Sequence, residues 1–300
     1  MVTRYPRVIK EKISVPNFGI VDTHLHIWDP EKFRYEWLDD IPILNKSYLI
    51  EDYQRSTAGL MIDKMVFLQC EVASDQYLAE ARWVSEVARE DPRIEGIVAW
   101  APLEKGAAAV EDLDKLIDIP QVKGVRRIIQ FEPNAEFCLK PSFVEGVKLL
   151  ENYSLSFDIC IKGSDQFANS IELVRSCPNV HFILDHIGKP DIIDGSIHPW
   201  KSQICELAEF SNTTCKISGM VVEANMESWS REELEPYLDT VLDAFGPDRL
   251  VFGGDWPVVV QAAEYREWVA AFDWYLSGTS ESEQRKIYRD NAVRVYRLDP

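Results

Sequence analysis

The chain has 300 residues, 32 basic against 50 acidic, and a net charge of −18. With 46% hydrophobic and 27% charged residues it carries ample core material, which excludes wholesale disorder. The acidic balance excludes a nucleic-acid footprint and docking on anionic membranes, both of which need a basic face. Residues 1–17 include MVTRYPRVIKEK, basic but without an apolar stretch, and read as an N-terminal extension rather than a secretory signal. From residue 18 onward, short β-rich runs alternate with segments of helical period. The first run is FGIVDTHLH (18–26), and a long aromatic-rich connection (27–63) follows it. KMVFLQCE (64–71) is next, then a helical segment at 74–90 with Tyr77, Leu78, Ala81, Val84 and Ala88 on one face. IEGIVAW (94–100) and VKGVRRII (122–129) precede a helix at 141–153. LSFDICI (155–161), a helix at 164–177, VHFILDH (180–186) and NTTCKIS (212–218) follow. A helix at 230–246 and RLVFGGD (249–255) complete the series. Ser74, Ser164 and Ser230 read as N-caps, and Gly246 reads as a C-terminal stop.

Eight strands alternating with helices predict a single-domain α/β fold, a (β/α)8 TIM barrel over residues 18–300. An open doubly wound sheet is the alternative built from the same units. No run of about 18 apolar residues exists, so no membrane span is expected. None of the six cysteines forms a C-x-x-C pair, and Cys70, Cys160 and Cys215 fall inside apolar runs. Reduced thiols in a cytoplasmic protein, monomer or homodimer, are the expectation.

In such a barrel the chemistry sits at the C-terminal strand ends. Those ends carry His24 and His26, Glu71, Trp100, Arg126 to Gln130, Lys162, Asp185 and His186, Lys216 and Ser218, and Asp255. His24 and His26 are two apart on a strand and so share a face, which suits one divalent metal. Asp22, one step earlier on that face, is either an anchor for an imidazole or a buried, hydrogen-bonded carboxylate. Asp255 follows two glycines and is left at the mouth, where it reads as a ligand and as a general base rather than a helix cap. His186 ends an otherwise apolar strand and joins the catalytic set. Glu71 is a further ligand, or binds a hydroxyl, or forms a salt bridge. Arg126 and Arg127 are adjacent on a strand, so one faces inward to bind substrate and the other pairs with a helix carboxylate. Lys162 and Lys216 are further substrate-binding candidates. Trp28, Trp100 and Trp256 offer aromatic faces to a sugar ring.

The segments VDTHLHIWDP, LQCE, GIVAWAPLE, GVRRIIQ, FCLKPSF, LSFDICIK, FILDHIGKP, CKISGM and LVFGGDWPV, in this order, resemble the sugar-lactonase branch of the amidohydrolase superfamily. The resemblance covers residues 18 to 297. It implies a (β/α)8 barrel and hydrolysis of an aldonolactone such as an L-fucono- or L-rhamnono-lactone. It aligns His24 and His26 with the first-strand pair, His186 with the later histidine and Asp255 with the last-strand aspartate. It implies one divalent metal at most, with zinc the expected ion, and metal-independent turnover stays open. Lys162-Gly163-Ser164 departs from the relatives, which often carry His or Arg there, and this bears on substrate identity. The competing readings are a dicarboxylate or muconolactone substrate, a decarboxylase on the same scaffold, and a non-catalytic sugar-binding barrel.

Overall fold

The computed structural model of the chain describes residues 15–299. All eight β-rich runs form strands: β1 (Ile20–Leu25), β2 (Ile62–Leu68), β3 (Ile94–Ala99), β4 (Val122–Val125), β5 (Ser156–Ile159), β6 (Phe182–Leu184), β7 (Thr213–Ile217) and β8 (Leu250–Phe252). They pair in parallel and in sequence order. Leu25 bridges Trp256 just beyond β8, and the His26 amide donates to the Trp256 carbonyl at 2.8 Å. The first strand therefore meets the last, which an open sheet cannot do, and the expected single-domain barrel closes. Of the expected extension at 1–17, residues 1–14 lie outside the described residues.

The helices are α1 (Ile50–Ser56), α2 (Tyr77–Glu90), α3 (Val110–Ile117), α4 (Pro141–Leu149), α5 (Ser164–Ser176), α6 (Trp200–Ala208), α7 (Met220–Glu223), α8 (Arg231–Phe245), α9 (Tyr265–Leu276), α10 (Glu281–Arg285) and α11 (Asn291–Tyr296). Ser230 caps α8 as expected, in a reciprocal box with Glu233, and Gly246 ends that helix at φ 64°. Ser74 and Ser164 do not cap. The chain turns once more after Ser74 before α2 starts at Tyr77, and Ser164 is already the first residue of α5, behind Gly163 at φ 86°. The 27–63 connection holds α1 and a tight 3₁₀ turn at Glu36–Asp40. The Trp28 indole clamps it by donating to Lys46 O at 2.9 Å.

Strand alternation separates two cores. Ile20, Met65, Phe67, Ile97, Phe157, Phe182 and Phe252 face outward, under the helices. Val21, Val66, Leu68, Val98, Ile183 and Val251 face the lumen and form a second cluster with Ala292, Val295, Tyr296 and Leu298. α11 thus closes the lumen at the end away from the strand C-termini. All six cysteines are free, and Cys70, Cys160 and Cys215 are buried. No helix among the described residues is long and apolar enough to cross a membrane.

Candidate active site

The β1–β2 pairing slips between Asp22 and Leu25. This bulge changes which residues face inward. Val21 lies in the lumen. Asp22 instead meets the helix layer, where its Oδ2 accepts from Tyr53 (2.8 Å) and Tyr265 (2.9 Å). Its Oδ1 accepts from the backbone amides of His24 (2.9 Å) and Gly254 (2.7 Å). Asp22 therefore anchors no imidazole. It is the buried, hydrogen-bonded carboxylate, and it ties the end of β1 to the end of β8. Beyond the bulge His24 and His26 do share a face, with Nε2 atoms 3.1 Å apart. Nδ1 of His26 lies 2.7 Å from Leu68 O, and Nδ1 of His24 lies 3.5 Å from Asp185 Oδ1.

Asp255 sits at φ 53° just past β8 and brings Oδ1 to 3.6 Å from His24 Nε2 and 3.7 Å from His26 Nε2. Its Oδ2 lies 3.8 Å from His186 Nδ1, which also meets Ser218 Oγ at 3.0 Å. The close approach depends on glycine at 219. That residue is at φ 62°, and a Cβ there would stand 2.5 Å from His186 Nδ1 and 3.0 Å from Asp255 Oδ2. Burial pushes the three imidazoles down, His26 to about 3, so all are neutral at pH 7. Burial also pushes the Asp255 carboxyl up to about 8, while the charges of Lys189 and Arg126 pull the other way.

Beneath this group the lumen is charged. Arg126 donates to Asp185 Oδ2 (3.0 Å) and Gln69 O (2.5 Å), and its Nη1 stands 3.2 Å from His24 Nε2. Lys216, with no exposed surface, lies 2.8 Å from both Asp158 and Asp185. Tyr296 of α11 donates to Asp158 at 2.7 Å. Burial works against the Asp185 charge, but Lys216, His24 and Arg126 outweigh it and hold that carboxyl well below the ordinary range. Burial raises Asp158.

A cavity of about 330 Å³ opens above, with His26, His186 and Asp255 at its base. Among the sequence-predicted residues, Trp28, Glu71, Arg126 and Lys162 line it as well. Glu71 accepts from Gln69 Nε2 at 2.9 Å and stands apart from the candidate ligand cluster, so it forms wall rather than centre. Of the arginine pair, Arg126 faces in, and Arg127 turns out to Glu132 (2.5 Å) and Glu104 (3.3 Å), as alternation requires. Three expected substrate contacts do not line the cavity. Lys216 is locked one layer lower by its two aspartates. Trp100 packs on Tyr77 at 5.2 Å, with the Arg127 guanidinium over its ring. Trp256 is packed between Tyr48 and Tyr53, its indole donating to Ser56 Oγ at 3.1 Å. Residues missed as site members are Trp37, Gln130, Lys189 and Glu223 in the cavity wall and Asp185 below it. Asp185 and Gln130 stand at strand ends and were visible there as polar breaks. Trp37 and Lys189 come from irregular turns with no periodic signal.

The donor set fits a divalent ion. His24, His186 and Asp255 bring ligating atoms within 4.8 Å of one another, and His26 Nε2 is adjacent. Two nitrogens bound to one tetrahedral ion at about 2.0–2.1 Å sit about 3.3 Å apart, close to the 3.1 Å between the two Nε2 atoms. Arg126 has Asp185 and Gln69 to hold it if an ion takes the His24 lone pair.

A family model described as amidohydrolase matches residues 21–298. An uncharacterised protein of Sinorhizobium fredii is 30% identical over 94% of this chain and 99% of its own. The L-fucono-1,5-lactonase of Burkholderia multivorans is 27% identical over 93% of this chain and 96% of its own. The crystal structure of an amidohydrolase from Burkholderia multivorans with bound zinc superposes with a TM-score of 0.85, at 26% identity, covering 94% of this chain and all of the other.

Proposed function

The chain belongs to the amidohydrolase family, and we propose that it is a hydrolase of sugar lactones, opening an aldonolactone to the free hydroxy acid. The observation that carries this is the convergence of the His26 and His186 imidazoles and the Asp255 carboxyl at the base of the cavity, with the buried His24 Nε2 3.1 Å from that of His26. His24, His26, His186 and Asp255 would hold one divalent ion, with zinc favoured by the zinc-bound relative. When bound, such an ion supplies Lewis acidity that brings the pKa of a water toward neutrality. Asp255 serves as general base. It takes the proton of the attacking water and returns it to the ring oxygen as the ester bond breaks. Its Oδ1 lies 3.6 and 3.7 Å from the His24 and His26 Nε2 atoms and its Oδ2 3.8 Å from His186 Nδ1, so the carboxylate stands beside the atoms that would hold the ion and within reach of a water there. Trp37, only partly buried in the cavity wall, offers aromatic surface to the C–H face of the sugar, and Trp28, with no exposed surface, packs behind it.

The dicarboxylate and decarboxylase readings need an uncompensated cationic cluster. Here Arg127 points out, Arg126 and Lys216 are neutralised by aspartates and Lys162 lies beside Glu223, which leaves Lys189 as a single cation rather than a cluster, so these readings are disfavoured. The test is proton release on fresh 1,4- and 1,5-lactones of several sugars. One stereochemical subset should turn over, and Asp255→Asn should lose at least about 10²-fold in kcat with its melting temperature preserved. Near-wild-type turnover by that variant sinks the assignment of the base. No turnover of any sugar lactone by the metal-supplied protein sinks the substrate class.

A further inference from the structure

His186, Ile187, Gly188 and Lys189 run consecutively through the left-handed region, at φ 53°, 48°, 75° and 50°. Three of the four are not glycine, and Ile187 is β-branched, the side-chain type for which this region is most strained. Such a turn persists only where its surroundings overdetermine it. They do so here. Ile187 has no exposed surface, and its carbonyl accepts from Trp200 Nε1 at 2.7 Å. A Cβ at Gly188 would stand 2.7 Å from the Phe167 ring. The Lys189 amide donates back to His186 O at 2.8 Å.

A turn closed by a bond from residue i to residue i+3 has about three residues per turn, so side chains i and i+3 lie on one face. That rule sorts this segment. Ile187 and Gly188 go to the core, and His186 and Lys189 both line the cavity. The strained backbone thus presents one imidazole of the proposed centre and one ammonium side by side. Strain concentrated at such a place is a marker of function.

Lys189 also differs from the neighbouring cations in how it is held. Arg126 is committed to Asp185, Arg127 to Glu104 and Glu132, and Lys216 to two aspartates. The Lys162 side chain is 65% exposed and reaches Glu223 at 3.2 Å. The Lys189 side chain is 16% exposed, and its ammonium donates at 2.6 Å to the neutral amide oxygen of Gln130, with Glu223 farther off at 3.9 Å. A charge aimed by a neutral partner is available to a ligand in a way that a fully paired charge is not.

We propose that Lys189 is a catalytic residue whose ammonium donates to the lactone carbonyl oxygen as that oxygen gains charge, and that then holds the carboxylate of the opened product. Gln130 is the positioning residue that aims it. The proposal rests on the lactonase reading. In the step, the water oxygen bonds to the carbonyl carbon and the carbon–ring oxygen bond breaks. The proton taken up by Asp255 passes to the ring oxygen, the carboxylic acid so formed loses its proton to solvent, and Lys189 keeps its own protons throughout.

The experiment compares wild type, Lys189→Met and Lys189→Arg as metal-loaded full-length proteins. Loss of one oxyanion donor is typically worth about 10²–10³ in kcat. Lys189→Met should lose that much with unchanged melting temperature and metal content, and Lys189→Arg should recover part of it. Binding of the product-like probe L-fuconate, by titration calorimetry, should weaken at least about 10-fold in Lys189→Met. A Lys189→Met enzyme within about threefold of wild type in kcat overturns the proposal and leaves the lactonase reading standing. If wild type opens no lactone, that reading fails by itself and the calorimetry alone decides Lys189. Equal L-fuconate binding by both proteins, or none by either, then overturns it.

Discussion

Glu80 of α2 is 1% exposed and lies behind the active-site strands. Its Oε1 accepts from the Cys70 amide at 3.3 Å, and no cation is paired with it among the described ion pairs. Burial pushes this carboxyl from its ordinary 4.5 up to about 8. The folded protein therefore keeps Glu80 protonated at neutral pH, whereas the unfolded chain ionises it above about 4.5. The sign follows directly. The contribution is fully present below pH 4.5 and is lost progressively as pH rises to about 8. At about 1.36 kcal/mol per pH unit, the interval corresponds to a loss on the order of 5 kcal/mol. Glu80→Gln removes this dependence while keeping the shape and an acceptor oxygen. Urea unfolding of both proteins from pH 5 to pH 9 isolates the effect, since every other titrating group is common to the pair. The variant should be near or slightly below wild type at pH 5 and more stable by several kcal/mol at pH 9. Stability curves that run parallel across that range would refute a protonated Glu80.

Three further perturbations probe the centre and its support. His24→Ala and His26→Ala should each lose bound metal by elemental analysis of the purified protein, and full retention in both removes the proposed centre. Lys216→Met strands Asp158 and Asp185 without their shared cation, a change worth about 3–5 kcal/mol in urea unfolding. Adding Asp158→Asn should recover part of that loss, and additive losses in the double variant count against a shared ion network. Gly219→Ala forces a Cβ to within 2.5 Å of His186 Nδ1 at a positive φ. It should lower kcat at least about 10-fold for a stability loss of only about 1–2 kcal/mol, and unchanged turnover would show that the His186–Asp255 approach is not critical.

The fold was legible because its signal is periodic: eight short β-rich runs and the helices between them are each read from their own residues. His24, His26, Arg126 and Arg127 were legible for the same reason, because alternation along a strand sets where each side chain goes. The choice between the two readings of Asp22 was not legible, because the bulge that turns it from the face of His24 is a property of the pairing with β2, and nothing in VDTHLH announces it. Lys216 was misread in depth rather than in direction. It does point into the lumen, but its carboxylate partners come from β5 and from the residue after β6, and no local pattern brings them to it. Lys189 was missed because the helical and strand periods both fail in a left-handed turn. Trp100 and Trp256 stand at strand ends, as read, yet the aromatic neighbours that claim them belong to distant helices and loops.

The closures that complete this barrel join points far apart in the chain. Tyr296 reaches Asp158 across 138 positions, and Gly254 reaches Asp22 across 232. Until α11 docks, the carboxylate in the lumen lacks its phenol, and until β8 arrives, the bulged first strand has nothing to fix its offset. A half-built barrel therefore holds unbalanced charges along its axis, and it gains little by stopping there. Such a chain is expected to fold slowly, with its catalytic geometry complete only once the last strand and α11 have docked.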